Sequence, residues 1–236
     1  MENRCPQAGA SADLGALLQA VYQRLYAAYG PQRWWPGETP FEVVVGAILT
    51  QAAAWTNVEK AMGRLKTKGA LSPRAIREMP HKRLAELVRS SGYFNAKARK
   101  LQAFCQHLGD RYDDSLDRLF AQDAPTLRNE LLALYGVGEE TADSIILYAA
   151  GKPAFVIDAY TRRIITRAGL HPQNESYGDY QALFTAHLPV DVALYNEYHA
   201  LLVRHGKDTC LKSKPRCESC CLAELCQYAQ EQRGAR

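Results

Sequence analysis

Four cysteines near the C-terminal end of the chain have the spacing C-x6-C-x2-C-x5-C. Thiolates that short loops bring together can hold an iron–sulfur cluster or a zinc ion, and the spacing by itself leaves both open. Cys221 is expected to face away from its neighbour, and Cys5 and Cys105 are expected to be ordinary reduced cysteines. The sequence therefore predicts a metal centre formed by Cys210, Cys217, Cys220 and Cys226.

The loop "LKSKPR" between the first two of these cysteines carries Lys212, Lys214 and Arg216. A short loop with three cations can contact the phosphates of a nucleic acid. A solvated charged loop is the simpler explanation for the same residues.

A second candidate for chemistry is Asp158, which follows "KPAFVI" and precedes the helical pattern "AYTRRII". An aspartate in this place is first of all a helix N-cap. A partly buried carboxylate at a helix start can also activate water or stabilise a developing cation. The two roles are compatible.

The stretch "GVGEETAD" joins two helical patterns through Gly136, Val137 and Gly138. Glycines permit backbone conformations that a side chain penalises, and the helix start that follows offers N–H groups to phosphate oxygens. A plain tight turn is the alternative. Glu139 and Glu140 fall in the first helical turn, where the helix dipole favours acids.

The elements that must position these residues are helices. Apolar residues recur at helical spacing through most of the chain, and no stretch shows convincing period-two alternation, so we predict an all-α fold. Thr39, Pro40 and Glu42 predict a capping box that opens a helix from Phe41 to about Ala53.

Composition sets limits on the class of protein. A chain of 236 residues with 47% hydrophobic residues can form one large or two small cores, and a net charge of +4 is compatible with a polyanionic partner. The segment Met1–Asp13 lacks the apolar core of a signal peptide, and no apolar run is long enough to span a bilayer. We therefore expect a cytoplasmic protein.

The hairpin "GVG", the "VID" aspartate and the cysteine spacing, in this order, resemble the helix–hairpin–helix (HhH-GPD) DNA glycosylases of the endonuclease III superfamily. The resemblance implies two helical lobes: residues 33–152 as a helical barrel with the hairpin, and residues 1–32 with 153–236 as a second domain that carries the cluster loop. It further implies a [4Fe–4S] cluster on the four cysteines and Asp158 as the catalytic residue. The partner would be double-stranded DNA containing damaged bases, bound by a monomer that associates with the nucleoid.

Within the superfamily, "RWWPGETPFEVVVGAILTQ" and "VRSSGYFNAKARKL" resemble most the 3-methyladenine DNA glycosylase branch. In that branch, positions matching Trp34 and Trp55 sandwich the base, and those matching Trp35 and Pro36 shape the pocket. Ordinary core aromatics are the alternative. The best-known members lack the iron–sulfur cysteines, so this chain resembles a cluster-bearing relative.

Two further assignments concern contacts with DNA. Gln51 either reaches the gap left by a flipped base or caps a helix. Lys97, Arg99 and Lys100 either follow the DNA backbone or form a solvated helix face.

Bifunctional members of the superfamily carry a lysine two residues past the second glycine, where this chain has Glu140. A carboxylate cannot form a Schiff base with the sugar, so we predict a monofunctional glycosylase with weak or absent AP lyase activity. An endonuclease III-type glycosylase and AP lyase acting on oxidised pyrimidines is one alternative. A DNA-binding hairpin protein without chemistry is another, against which Asp158 argues.

Overall fold

A computed structural model describes residues 8–234, with side chains from residue 14 onward, and this range contains thirteen α-helices and no β-strand. The prediction of an all-α fold is confirmed. Cys5 lies outside the described residues, as does most of Met1–Asp13. No helix within the described range is long and apolar enough to cross a lipid bilayer.

The chain divides into two units. The middle unit is Trp35–Ala154, and the terminal unit combines Met1–Trp34 with Phe155–Arg236. The helices of the middle unit are α2 (Pro40–Leu49), α3 (Trp55–Thr67), α4 (Pro73–Glu78), α5 (His81–Leu87), α6 (Phe94–Tyr112), α7 (Leu116–Phe120), α8 (Ala124–Leu132) and α9 (Glu139–Ser144). The middle unit also has a 3₁₀ turn at Arg89–Ser91, and α9 continues as a π-helical turn at Ile145–Ala149. The helices of the terminal unit are α1 (Ala8–Tyr29), α10 (Ala159–Ala168), α11 (Tyr177–Thr185), α12 (Val192–Asp208) and α13 (Gln227–Gly234), with a 3₁₀ turn at Cys217–Ser219.

Helix α2 forms the centre of the middle unit, and its residues 41–49 are all buried. A helix that is apolar on every side must be surrounded by protein. The predicted start is correct, because the Thr39 hydroxyl accepts the N–H of Glu42 at 3.2 Å and Pro40 follows at the first helical position. The predicted capping box is only half formed, because the Glu42 carboxylate accepts the N–H of Glu38 at 3.1 Å. The predicted end near Ala53 is wrong: the helix ends at Leu49, and Ala52 has a φ of +50°.

Aromatic rings form the centre of the terminal unit. The Phe155 and Phe184 rings stack with their centroids 3.8 Å apart, and the Tyr195 and Tyr198 rings meet Phe155 edge-on. Such pairs stabilise a core beyond the apolar area that they bury. The extended segment that leads to Asp158 begins at Phe155 and is therefore held at its first residue by this aromatic core.

Helix α11, which the sequence analysis did not predict, holds this extended segment. The amide of Ile157 donates to the Tyr177 hydroxyl at 3.2 Å, and the Gln181 side-chain amide donates to the Phe155 carbonyl at 2.8 Å. Backbone groups that would pair in a sheet are satisfied here by side chains. The result is that Asp158 follows a tethered segment.

Candidate functional site

The two glycines of the hairpin between α8 and α9 differ in backbone conformation and in surroundings. Gly136 has a φ of +76°, and a Cβ there would lie 2.4 Å from Cε of Lys100. Gly138 is the N-cap of α9 with a φ of −98°, and a Cβ there would meet no atom of the described residues within 4 Å. Backbone conformation and packing therefore require Gly136, whereas the surroundings of Gly138 leave room for a side chain.

Gln51 lies against this hairpin. Its side-chain amide donates to the Gly136 carbonyl at 3.0 Å and to the Thr141 hydroxyl at 2.9 Å, and its oxygen accepts from Nζ of Lys100 at 2.5 Å. These bonds join the end of α2, helix α6 and the hairpin. The predicted contact of Gln51 with DNA stays a prediction.

The acids of the hairpin helix fall into two groups. Glu139 and Glu140 are exposed in the first turn of α9, and Glu139 lies 3.4 Å from Nη2 of Arg128. Asp143 is fully buried and binds the Arg128 guanidinium through both oxygens, at 2.7 and 3.2 Å. A bidentate pair of this kind fixes geometry, so Arg128 holds α9 against α8.

Asp158 is the N-cap of α10, as predicted from its local pattern. Its Oδ1 accepts the N–H of Thr161 at 2.7 Å, and its side chain is 12% exposed. Its Oδ2 lies 3.8 Å from Nε2 of His199 on α12. Burial lowers the pKa of His199 although the nearby Asp158 acts in the opposite direction, so the ring is neutral at pH 7. Asp158 thus lies beside a neutral imidazole.

The four predicted metal-binding cysteines line one small pocket that is partly open to solvent. Cys221 is not among the residues that line it, and its carbonyl lies 3.5 Å from Nη1 of Arg24. Apolar side chains complete much of the pocket wall: Val21, Ile164, Ala168, Pro215, Leu222, Leu225 and Ala229.

The thiols in this pocket meet polar groups of the protein. Burial raises the pKa of Cys220 to about 11, and it also raises the pKa of Cys226. Nη1 of Arg167 lies 3.2 Å from Sγ of Cys210, and Nε2 of His205 lies 3.6 Å from Sγ of Cys220. Thiols of this kind become thiolates when a cation compensates their charge, so the chemistry of the four side chains suits a metal centre. In the described part of the chain, however, no three His, Cys, Asp or Glu side chains are arranged to hold a metal ion.

The loop between Cys210 and Cys217 is held from inside. Arg167 donates to the carbonyls of Leu211 at 2.7 Å and Lys212 at 2.9 Å. The side chains of Lys212, Lys214 and Arg216 are exposed. The backbone is therefore tied to α10 while the three cations remain on the surface.

Three aromatic rings meet in the middle unit. The Trp35 ring lies edge-on to Trp55 with centroids 5.5 Å apart, and 5.2 Å from the ring of Tyr148 on the π-helical turn. Gly46 of α2 permits this arrangement, because a Cβ there would come within 3.2 Å of Nε1 of Trp35. Pro36 is exposed.

Trp34 belongs to the terminal unit, where Nζ of Lys207 lies 5.6 Å from its ring centroid. The structure therefore groups Trp35 with Trp55 and Tyr148 within one unit. The predicted pairing of Trp34 with Trp55 around a base stays a prediction.

The family model described as "HhH-GPD superfamily base excision DNA repair protein" matches residues 45–189 of the chain. The chain belongs to this superfamily. It is accordingly a DNA glycosylase of the endonuclease III/HhH-GPD type. The matched range includes the hairpin, Asp158 and the Trp55 helix.

Individual relatives of this HhH-GPD chain agree with that assignment. "Putative DNA repair glycosylase MJ1434" of Methanocaldococcus jannaschii is 41% identical over 211 residues, which cover 89% of this chain and 96% of that protein. The structure of a trapped endonuclease III–DNA covalent intermediate matches with a TM-score of 0.81 at 24% identity, over 93% of this chain and 98% of that one. The crystal structure of H. pylori 3-methyladenine DNA glycosylase (MagIII) bound to 1,N6-ethenoadenine matches with a TM-score of 0.69 at 26% identity, over 84% and 97%. The predicted HhH-GPD fold is confirmed.

One basic residue of this HhH-GPD chain lies where the sequence did not predict it. Lys97 was assigned to a phosphate-facing or solvated surface, and this is wrong, because the residue is only 2% exposed. Its Nζ donates to the carbonyls of Leu49 at 2.8 Å and Ser91 at 2.5 Å. Burial, with a smaller effect of Lys100, lowers the pKa of Lys97 to about 8. Lys97 therefore caps the end of α2 just before Gln51.

Several residues of the sites described here were not singled out from the sequence, among them Gly46, Asp143, Tyr148 and His199. Each occupies an ordinary position of a helical pattern, and its partner comes from another part of the chain. Only a buried charge at a core-facing position, as at Asp143, gives a sequence signal for such a residue.

Proposed function

We propose that the protein is a monofunctional glycosylase that flips an alkylated, 3-methyladenine-type base out of double-stranded DNA and removes it with water. The proposal rests on two carboxylates that differ in burial and in hydrogen bonding. Asp158 is largely buried and held as a cap, whereas Glu140 stands exposed where a lyase needs a lysine. We further propose that the protein acts as a monomer in the cytoplasm.

Alkylation at N3 or N7 of a purine places positive charge on the base and weakens its bond to the sugar. In the proposed reaction the bond between C1′ and the base nitrogen breaks, and both electrons leave with the base, which becomes neutral. The sugar keeps the positive charge, which the Asp158 carboxylate stabilises. Water then adds to C1′ and loses one proton through Asp158 to solvent, leaving an abasic site in an intact strand.

Electron-rich rings suit a cationic base. Stacking and cation–π attraction contribute about 0.5–2 kcal/mol per contact. The meeting of Trp35, Trp55 and Tyr148 supports a pocket of this kind, as does the likeness to a 3-methyladenine DNA glycosylase at 26% identity. The resemblance to the 3-methyladenine branch adds Trp34 and Pro36 to the residues proposed to bind the base.

The DNA backbone would be bound by two groups of residues. One is the hairpin Gly136, Val137 and Gly138 with Gln51, and the other is the loop with Lys212, Lys214 and Arg216. The open space around Gly138 and the exposure of the three cations support these roles.

We propose a [4Fe–4S] cluster on Cys210, Cys217, Cys220 and Cys226, with the structural role of fixing the cationic loop. In such a cluster each cysteine binds a different iron, so a pocket lined by four separate thiols supports it. Purified protein should be yellow-brown, absorb near about 400 nm and contain about four iron atoms per chain. Colourless protein with one bound zinc ion and no iron would contradict the assignment.

An endonuclease III-type activity on oxidised pyrimidines is the second candidate. The likeness to an endonuclease III–DNA complex, with a TM-score of 0.81, favours it at the level of fold. A DNA-binding hairpin protein without chemistry is a third, and the held carboxylate of Asp158 speaks against it.

The deciding experiment uses duplexes that carry 3-methyladenine, 7-methylguanine, thymine glycol or an abasic site. The purified protein should release the methylated purines, and strands should break only after alkali. Borohydride should trap little covalent protein–DNA product. Release of thymine glycol with efficient trapping would establish the second candidate and would point to an amine elsewhere, such as Lys152.

The aromatic pocket has a test of its own. Trp34→Ala or Trp55→Ala should lower excision of methylated bases about tenfold or more while binding to an abasic duplex stays close to that of the unchanged protein. The reason is that the rings contact the base, whereas phosphate contacts hold the backbone. Equal losses on both substrates would show that the rings serve the core.

A further inference from the structure

A buried histidine lies against the proposed catalytic carboxylate within the terminal unit. His199 is 4% exposed, and its Nε2 lies 3.8 Å from Oδ2 of Asp158. The two residues stand on α12 and α10, and His199 shares the buried face of α12 with Tyr195 and Tyr198. An aliphatic side chain would suit this core position, and burying an imidazole is costly unless polar groups meet it. Asp158 is one such polar group.

The two oxygens of Asp158 have different surroundings. Oδ1 accepts the N–H of Thr161 at 2.7 Å and so belongs to the cap of α10. Oδ2 is the oxygen on the side of His199. The cap fixes one end of the carboxylate, and the group beside Oδ2 decides how the other end is directed.

The protonation state of His199 decides what it can do for Oδ2. Because burial lowers the pKa of His199, the ring is neutral at pH 7 and carries a single N–H. A neighbouring carboxylate favours the tautomer with the hydrogen on Nε2. A neutral donor can orient the carboxylate without cancelling the charge that is needed to stabilise a sugar cation. An imidazolium would form an ion pair and weaken that stabilisation.

We propose that His199 is a positioning residue for base excision: its Nε2–H donates to Oδ2 of Asp158 and directs this oxygen toward the sugar. The inference rests on the proposed catalytic role of Asp158. The separation of 3.8 Å is longer than a hydrogen bond. Catalytic hydrogen bonds are often long before substrate binds, and this one closes to about 3 Å in the complex with DNA.

The test compares His199→Leu, which removes the donor, with His199→Gln, which keeps an N–H. Excision is measured in single turnovers with excess enzyme, and binding is measured on an abasic duplex. His199→Leu should slow excision about 10- to 100-fold with binding changed less than about threefold, and His199→Gln should recover a large part of the rate. Folded His199→Leu protein with an unchanged rate overturns the inference.

His199→Leu in an Asp158→Asn background separates positioning of Asp158 from a general structural role of His199. If His199 acts through Asp158, His199→Leu should slow the Asp158→Asn variant by less than about twofold. If the rate reductions of His199→Leu and Asp158→Asn are independent and multiply in the double variant, the inference is overturned. An Asp158→Asn variant with the full rate would instead refute the proposed function, so the two failures are distinguishable.

A measurement on the unchanged protein does not depend on the folding of any variant. Nitrogen chemical shifts of the His199 ring at pH 7 should show a protonated Nε2 and an unprotonated Nδ1. The opposite tautomer, or a doubly protonated ring, overturns the inference.

Discussion

Two helices of this protein begin next to acidic residues, and the two starts are built differently. At α9 the N-cap is Gly138, and the acids Glu139 and Glu140 follow it on the surface. At α10 the acid Asp158 is itself the cap, with a side chain that is 12% exposed. Both arrangements complement the helix dipole. The electrostatic argument from sequence therefore explains both starts equally and does not tell them apart.

The difference lies in what surrounds each acid. At α9 the exposed acids flank a glycine that leaves open space before the helix. At α10 the carboxylate is fixed at one oxygen by Thr161 and faces a buried neutral His199 at the other. A start of the first kind suits contact with a large partner, and one of the second kind suits chemistry at a fixed atom.

The largest expected effect is at the buried start. Asp158→Asn should slow base excision about 100-fold or more, because an amide does not stabilise a developing positive charge as a carboxylate does. DNA affinity should change little, and stability should fall only slightly because asparagine is also a good cap. Single-turnover excision, duplex binding and thermal unfolding measure the three effects. A near-normal rate would show that the carboxylate at the start of α10 is not needed for excision, and the two helix starts would then not differ in this function.

The second effect separates the two glycines of the exposed start. Gly136→Ala should destabilise the fold by about 1–3 kcal/mol, because its left-handed backbone strains a side chain and Lys100 must move. Gly138→Ala should cost less than about 1 kcal/mol and instead weaken DNA binding, since its methyl group enters space available to a phosphate. Urea unfolding and duplex titration test the pair. Equal stability losses at both positions would contradict this assignment.

The third effect concerns the buried lysine behind the hairpin. Burial lowers the pKa of Lys97 to about 8, below its ordinary value of 10.5. Between these values the unfolded chain binds more protons than the folded chain, so the contribution of Lys97 to stability rises with pH. Between pH 8 and 10, the free energy of unfolding of the unchanged protein should therefore increase relative to that of Lys97→Met.

The exposed Lys60→Met variant is the matched control for this measurement. It should show the same pH dependence as the unchanged protein, because Lys60 is exposed on α3 and its substitution leaves the buried Lys97 in place. A constant difference between Lys97→Met and the unchanged protein across this pH range would mean that Lys97 is not buried in solution.

The smallest effect is expected at the exposed acids. Glu140→Gln should change stability by less than about 0.5 kcal/mol and leave the excision rate unchanged, because the side chain is exposed and a favourable interaction with the helix dipole is weak there. DNA binding should tighten slightly at low salt through the loss of one negative charge. A large loss of excision would give Glu140 a part in the chemistry and weaken the comparison with Asp158.

Local signals in the sequence predicted local structure well. Thr39 with Pro40 indicated the start of α2, and Asp158 indicated the start of α10, because a cap bonds to the backbone only three residues away. The four cysteines line one pocket, and their role as metal ligands stays a prediction.

Contacts between distant parts of the chain could not be predicted in this way. In the sequence, Lys97 is indistinguishable from a basic residue of an exposed helix face. Only the structure shows that it donates to the carbonyls of Leu49 and Ser91. Nothing in the order of residues shows that His199 meets Asp158, which lies 41 positions earlier in the chain. Such partners are fixed by how helices pack, which periodicity describes only as an apolar face.

The tether before Asp158 also has a consequence for motion. The amide of Ile157 is protected by the Tyr177 hydroxyl, and the carbonyl of Phe155 by the Gln181 side chain, both on the nine-residue helix α11. Amide hydrogen exchange at Ile157 therefore reports the opening of α11, and because Phe184 of α11 stacks on Phe155, this opening also disrupts the aromatic core. The segment before Asp158 therefore keeps its position only while this one short helix stays packed.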